Sequence, residues 1–363
     1  MRAAFHGLIM SVLLFSSKSF AQAVAAPVEG RDWRYVLTIF EIAAADDDAK
    51  LSQLLTDNPD RVLLRVPNTG TAAVHVATES GALKSLRVLS KAGADLNVVD
   101  QQGRTPLSMA CGTHFASTVK TLLDLGADPN KEGADTANAI GQFTGSGSPD
   151  LPLSIAAKRG YTDIVKLLIA GKADVNKRAS NETTPLLAAA AAGKWDIAEL
   201  LIDNGADVNA ADKSGMTLLL YAAAASDEKQ VAYLLSKGAD AKVADKTGRN
   251  GLSLTQSAPI WKMLVPKGAD VNVVVGGRTP LQYFIDQGNL ELVKVWLDFK
   301  PDPFITDRQG HTAKELARAA ASRGYSPTRQ EIAQLVETYQ NKYAADQLAK
   351  EPVSQPAPET QAK

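Results

Sequence analysis

Apolar residues recur along this chain at helical rather than alternating spacing. Ile164-Val165-Lys166-Leu167-Leu168-Ile169 and Ile197-Ala198-Glu199-Leu200-Leu201-Ile202 each carry an apolar stripe of period near 3.6, which predicts helices there. A short phrase precedes each stripe: Thr105-Pro106-Leu107-Ser108, Leu151-Pro152-Leu153-Ser154, Thr184-Pro185-Leu186, Thr217-Leu218-Leu219, Thr279-Pro280-Leu281 and Thr312-Ala313. A Thr hydroxyl accepts a backbone N–H at a helix start, and Pro fits the first turn because its missing N–H would have no partner there. The phrase therefore starts a first helix and the stripe forms a second. Ala72-Ala73-Val74-His75 sits in the same register 33 residues before Thr105.

A fixed ending follows each stripe. It reads Gly93-Ala94-Asp95-Leu96-Asn97, Gly126-Ala127-Asp128-Pro129-Asn130, Lys172-Ala173-Asp174-Val175-Asn176, Gly205-Ala206-Asp207-Val208-Asn209, Gly238-Ala239-Asp240 and Gly268-Ala269-Asp270-Val271-Asn272. The aspartates lie 33, 46, 33, 33 and 30 residues apart, with Asp302 a further 32 on. A left-handed Gly ends the helix, and the Asp, Asn and a later Gly (Gly103, Gly215, Gly248) suit a tight turn. Self-similarity at this period marks a repeat architecture.

These phrases resemble the ankyrin repeat, with its 33-residue period, Thr-Pro-Leu-His helix start and Gly-Ala-Asp-Val-Asn ending. The resemblance implies an all-α solenoid of stacked antiparallel helix pairs with projecting β-hairpin finger loops. It implies a protein-binding role and no enzymatic one. On it we expect a helical capping unit at 24–66, with a helix pair from Val36 to Leu55. A repeat domain at 67–342 follows, with about seven repeats and a degraded C-terminal cap, and then a disordered polar tail at 343–363.

Two departures stand out. The 46-residue interval holds extra residues at 131–148, polar and Gly-rich apart from Ile140 and Phe143, where a finger belongs. Insertions of this kind collect on the binding face of repeat proteins but also cost little as idle loops. Asn250-Gly251 replaces Thr-Pro in a shortened repeat, and Pro259 and Pro266 fall where helix is expected, which predicts a bend or a weakened stack.

Composition narrows the picture further. The 363 residues carry 39 basic and 40 acidic side chains, a net charge of -1 that gives no reason to expect nucleic acid. The lone Cys111 excludes an internal disulfide and any metal site needing paired thiolates. Met1-Arg2, an apolar run to Phe15 and the small-residue exit Ala21-Gln22-Ala23 fit a secretory signal peptide at 1–23. No stretch reaches the roughly 18 apolar residues that would span a bilayer. Export to the periplasm, with no membrane insertion after cleavage, is the expectation.

Candidate chemistry is sparse. Cys111 and His114 are close enough to suggest a nucleophile and base, but Cys111 falls at a small inner-helix position typical of a core residue. His75 holds the Thr-Pro-Leu-His position, for which the resemblance implies hydrogen bonds within and between repeats. Asp46-Asp47-Asp48 reads as a solvated helix-capping turn rather than a cation site. Gly141 to Gly147 lacks the Gly-Lys-Ser/Thr ending of a phosphate loop. No catalytic residue, metal or cofactor is expected.

The register instead places Gln101, Gln102, Arg104, Arg178, Lys213, Met216, Lys246, Arg249, Arg278, Arg308 and His311 at finger tips, with Lys158 and Arg159 on an inner helix and Phe143 in the inserted loop. These are the expected protein-binding residues. A basic face on a slightly acidic chain favours a partner with an acidic patch. The expected protein is a monomeric periplasmic scaffold or stabiliser of an envelope or exported protein. An immunity-type inhibitor of an exported toxin, a small-ligand binder and an enzyme are the alternatives.

Overall fold

A computed structural model describes residues 33–66, 69–134, 149–180, 182–323 and 326–349. The chain forms two compact units that divide between Lys213 and Ser214. The expected signal peptide, Phe143 and most of the inserted loop lie outside the described residues.

The first unit contains α1 (Trp33–Ala44), α2 (Asp48–Asp57), α3 (Ala73–Glu79), α4 (Leu83–Lys91), α5 (Pro106–Gly112), α6 (Ala116–Asp124), α7 (Pro152–Arg159), α8 (Thr162–Ala170), α9 (Pro185–Ala191) and α10 (Trp195–Asp203). The inner helices α3, α5, α7 and α9 pack in succession, and so do the outer helices α4, α6 and α8. The pair α1 and α2 stacks on α3 and α4. Two-residue strands, β1 (Gly133–Ala134) and β2 (Pro149–Asp150), pair antiparallel at the base of the inserted segment.

The Thr residues cap their helices as the phrase predicts: Thr105 Oγ1 accepts the Ser108 N–H at 3.1 Å and Thr184 Oγ1 that of Leu187 at 3.2 Å. Close stacking then depends on small side chains. Every residue of α5 is buried, and Ala188, Ala189 and Ala190 of α9 are buried while Ala191 is exposed.

The Gly-Ala-Asp-x-Asn ending works as a relay between repeats, beyond its role in the turn. Each Asp carboxylate accepts the N–H of the residue two places on, as in Asn176 to Asp174 at 2.9 Å. At four boundaries the Asn Oδ1 then accepts the N–H of the next repeat's Asp. Asn97 holds Asp128, Asn130 holds Asp174, Asn176 holds Asp207 and Asn272 holds Asp302, each at 2.8 Å. At Lys172 the left-handed position usually filled by Gly is taken by lysine, with φ 65°.

The second unit contains α11 (Leu218–Ala224), α12 (Glu228–Ser236), α13 (Ala258–Leu264), α14 (Pro280–Gln287), α15 (Leu290–Leu297), α16 (Ala313–Ser322) and α17 (Pro327–Leu348). The shortened repeat has lost its inner helix, and a turn at 251–254 stands in its place. Pro259 lies in the first turn of α13 and Pro266 in a following 3-10 turn, so neither interrupts a helix. The expected proline disruption is therefore replaced by a shorter unit with an aromatic core. Trp261 meets Trp296 edge-on at 4.8 Å and Phe284 at 5.3 Å, and its Nε1–H donates to the carbonyls of Leu252 and Thr255, both at 3.2 Å.

α17 runs through Leu348, so the segment expected to begin a disordered tail at 343 is helical to that point. It is fastened by Ile332 and Val336, by Tyr339 donating to the Pro301 carbonyl at 2.7 Å, and by Glu337 facing Lys314 and Arg318. Among the described residues, no helix is long and apolar enough to cross a membrane.

Candidate functional site

Three fingers are built around a buried carboxylate. Asp100 Oδ1 accepts the backbone N–H groups of Gln102 and Arg104, each at 2.9 Å, while Oδ2 receives Arg104 Nε and NH2, each at 2.7 Å. The same clasp recurs at Asp245, which takes the N–H groups of Thr247 and Arg249 and then Arg249 Nε and NH2 at 2.7 Å. Asp307 repeats it with Gln309 and His311. Burial alone would raise the Asp245 pKa, but the hydrogen bonds from Thr247 and Arg249 outweigh it and hold the carboxyl at about 2.

This clasp corrects one expected contact residue. Arg104 is buried, its guanidinium spent on Asp100, and it is no finger-tip cation. Arg249 remains 44% exposed but shares the same arrangement, and Arg278 pairs with Asp286 at 3.0 Å. Gln101, Gln102, Lys158, Arg178, Lys213, Lys246, Arg308 and His311 are exposed, and Arg159, Met216 and Arg278 are half-buried. Among the described residues, no carboxylate lies within 4.0 Å of Arg178, Lys213, Lys246 or Arg308.

Backbone bonds tie one finger to the next. The N–H of Gln101 donates to the Thr69 carbonyl and that of Lys246 to the Ser214 carbonyl, both at 2.9 Å, and Arg308 N–H reaches the Gly277 carbonyl at 3.2 Å. Arg308 lies so close over Gly277 that a Cβ there would come 2.2 Å from its Cγ. Within each unit these bonds hold neighbouring fingers to one another.

His75 makes the hydrogen bonds within and between repeats that the resemblance implies, and Gln282, not singled out in the sequence, likewise joins a helix start to the following finger. His75 Nδ1 accepts the Ala72 N–H at 3.1 Å, which leaves Nε2–H to donate to the Arg104 carbonyl at 3.1 Å. In the second unit Gln282 performs both tasks: its Oε1 accepts the Thr279 N–H at 2.8 Å and its Nε2 donates to the carbonyls of Ile305 and His311. Burial pushes the His75 pKa below its ordinary value, consistent with a neutral ring. A Gln at the His position was the available signal.

A cleft of about 450 Å³ lies between the second and third fingers, with Val99, Lys131, Glu132, Lys177, Arg178 and Ser180 among its lining residues. Glu132 is held by the Ser180 N–H and hydroxyl, and Lys177 Nζ donates to the Asn130 carbonyl at 2.8 Å. Gly133 passes directly over the start of α5, where a Cβ would meet Ser108 Oγ at 2.4 Å.

Cys111 and His114 are not arranged as a catalytic pair. Cys111 is wholly buried, and burial raises its thiol pKa far above the thiolate range. His114 instead stacks on Tyr161 at 4.1 Å and bonds Asp163 at 3.0 Å, joining the end of α5 to the start of α8. Asp46 Oδ1 caps Ser85 and Asp47 caps Lys50, so these two carboxylates of the acidic run serve local structure. Among the described residues, no group of His, Cys, Asp and Glu is arranged to hold a metal ion.

Stacked helix pairs, a repeating Asp/Asn relay and clasped fingers define a repeat-scaffold protein whose class binds other proteins. The sequence model of the family described as "Ankyrin repeats (3 copies)" matches residues 40–133 and 153–245, and the chain belongs to the ankyrin-repeat family. It is 30% identical over 117 residues to tyrosine-protein kinase HTK16 of Hydra vulgaris, covering 32% of this chain and 14% of that protein. It is 39% identical over 66 residues to human protein phosphatase 1 regulatory subunit 27, covering 18% and 43%. The chain thus spans less than half the length of these relatives. Among solved structures, the ankyrin repeat domain of Bcl-3, a member of the IkappaB protein family, matches with a TM-score of 0.53. That likeness, at 23% identity over 62% of this chain and 96% of the other, is one of fold.

Proposed function

We propose that this chain is a monomeric, non-enzymatic binding module of the bacterial periplasm that holds an envelope or exported protein as a scaffold or stabiliser. The observation that carries the reading is the set of exposed finger cations, Arg178, Lys213, Lys246 and Arg308, which no described carboxylate neutralises. A partner with an acidic patch would be steered toward the cations of either unit, Arg178 and Lys213 in the first or Lys246 and Arg308 in the second. Location rests on the signal-like pattern of residues 1–23.

Two measurements test this. Cross-linking capture from a periplasmic extract, followed by reconstitution with the purified partner, should yield one stoichiometric complex that K213E/K246E/R308E weakens while circular dichroism stays unchanged. Unaltered affinity would remove the fingers from the reading. Separately, mass spectrometry of the exported chain should find its first residue just after Ala21 or Ala23, and a full-length cytoplasmic chain would refute the location.

A further inference from the structure

Five residues after the Asp of each repeat ending, most fingers place a carboxylate: Asp100, Asp212, Asp245 and Asp307. At Asp100, Asp245 and Asp307 it receives the turn's own basic side chain. The second, third and sixth fingers depart from the rule, with Gly133, Ala179 and Val275 at that position. The second and third fingers form the walls of the 450 Å³ cleft.

We propose that this cleft receives an acidic segment of the partner protein, with a carboxylate seated among Lys131, Lys177 and Arg178; the inference rests on the protein-binding reading above. The two carboxylates that border the cleft, Asp128 and Glu132, are held by neutral donors and keep their charge, so three cations face two anions and the cleft is net positive by one. Asp128 Oδ1 accepts the Asn130 N–H at 2.8 Å, and Glu132 is held by the Ser180 N–H and hydroxyl. The cations meet neutral groups instead: Lys177 Nζ donates to the Asn130 carbonyl, and Arg178 NH1 to the carbonyls of Glu182 at 2.8 Å and Ala211 at 3.0 Å. Carbonyl contacts orient these side chains without cancelling their charge. No carboxylate among the described residues lies within 4.0 Å of any of the three. Because Lys177 and Arg178 are held in place before binding, little side-chain entropy remains to be lost when a carboxylate arrives. Val99, 37% exposed, adds an apolar wall beside the cations, which suits the methylenes of Glu.

The test uses fluorescein-labelled decaglutamate, decaglutamine and decathymidylate, titrated by fluorescence anisotropy against the whole exported chain. Decaglutamate should bind more weakly at about 200 mM than at about 50 mM salt, and decaglutamine should not bind. K131E/K177E should lower decaglutamate affinity on the order of tenfold, as expected for reversing charges at a polar contact. K131E alone, which disturbs no internal hydrogen bond, should give part of that loss. K91E/K166E, on the exposed faces of α4 and α8, should leave affinity unchanged. Wild-type chain that ignores decaglutamate, cleft variants that bind it normally, equal loss in the α4/α8 variant, or decathymidylate bound as tightly as decaglutamate would each overturn the inference. Partner capture that survives K131E/K177E but fails in the finger-tip variant would overturn the cleft while leaving the protein-binding reading intact.

Discussion

Arg104 places Nε and NH2 each 2.7 Å from Oδ2 of Asp100, while Oδ1 of the same carboxylate closes the finger turn on two backbone N–H groups. The ion pair is therefore part of the turn. Arg104→Ala leaves a buried carboxylate with its backbone donors but without its countercharge, and is expected to cost about 2–4 kcal/mol. The equivalent Arg249→Ala, at a guanidinium 44% exposed, is expected to cost about 1 kcal/mol or less. Urea midpoints of the two variants measure the difference, and equal losses would contradict the role assigned to burial.

Asn176 binds both ways across its repeat boundary, accepting from Asp207 N–H at 2.8 Å and donating from Nδ2 to the Gly205 carbonyl at 2.9 Å. Asn176→Ala should cost about 1–2 kcal/mol. Hydrogen exchange at the Asp207 amide should quicken selectively. Protection unchanged at Asp207 would show that the relay bond contributes nothing there.

Acid should destabilise the chain in two stages. The buried His75 has a pKa below 6.5, so the unfolded chain binds a proton that the folded one resists. Its contribution is complete above pH 6.5 and falls as pH drops below that value. Asp245, at about 2 when folded against 3.8 otherwise, adds a loss that begins near pH 3.8 and continues to about pH 2. Gln282 makes the His75 pair of links with an amide that does not titrate. His75→Gln should therefore remove much of the first slope while retaining most of the stability at pH 7. A slope in stability between pH 4 and 6.5 identical to that of the wild type would assign it elsewhere.

Gly251 lets the shortened repeat close over its outer helix. A Cβ at that position would lie 2.7 Å from Leu264 Cδ1 in the buried core. Gly251→Ala should cost about 1–3 kcal/mol by overpacking. Combined with Leu264→Ala, it should cost less than the two single changes summed, because the second change removes the atom it strikes. Additive losses would place the clash elsewhere.

Much of the architecture was legible in the chain because helix starts, left-handed helix ends and the 33-residue period are local signals. Thr105-Pro106 and Thr184-Pro185 cap helices where the phrase places them. The candidate face was legible only in part. Register put Arg104 and Lys246 at matching turns, yet it carries no sign that one guanidinium is buried on a carboxylate four residues back while the other residue's ammonium is exposed. The Asp-x-x-Gly-Arg spacing at Asp100 and Asp245 was the signal for that clasp, and it becomes meaningful once burial is known.

The sequence by itself determined a repeated helix pair, its boundaries and the places where the repeat departs from its pattern. Those properties follow from backbone preferences acting over a few residues. Tertiary structure decided which polar groups are consumed. It turned Asn97, Asn130, Asn176 and Asn272 into links between repeats, replaced the helix after Asn250 with the core around Trp261, and separated neutralised finger cations from those left uncompensated. The physical reason is that hydrogen bonding and charge neutralisation depend on which groups meet across about 30 residues of chain, and on whether water is excluded where they meet.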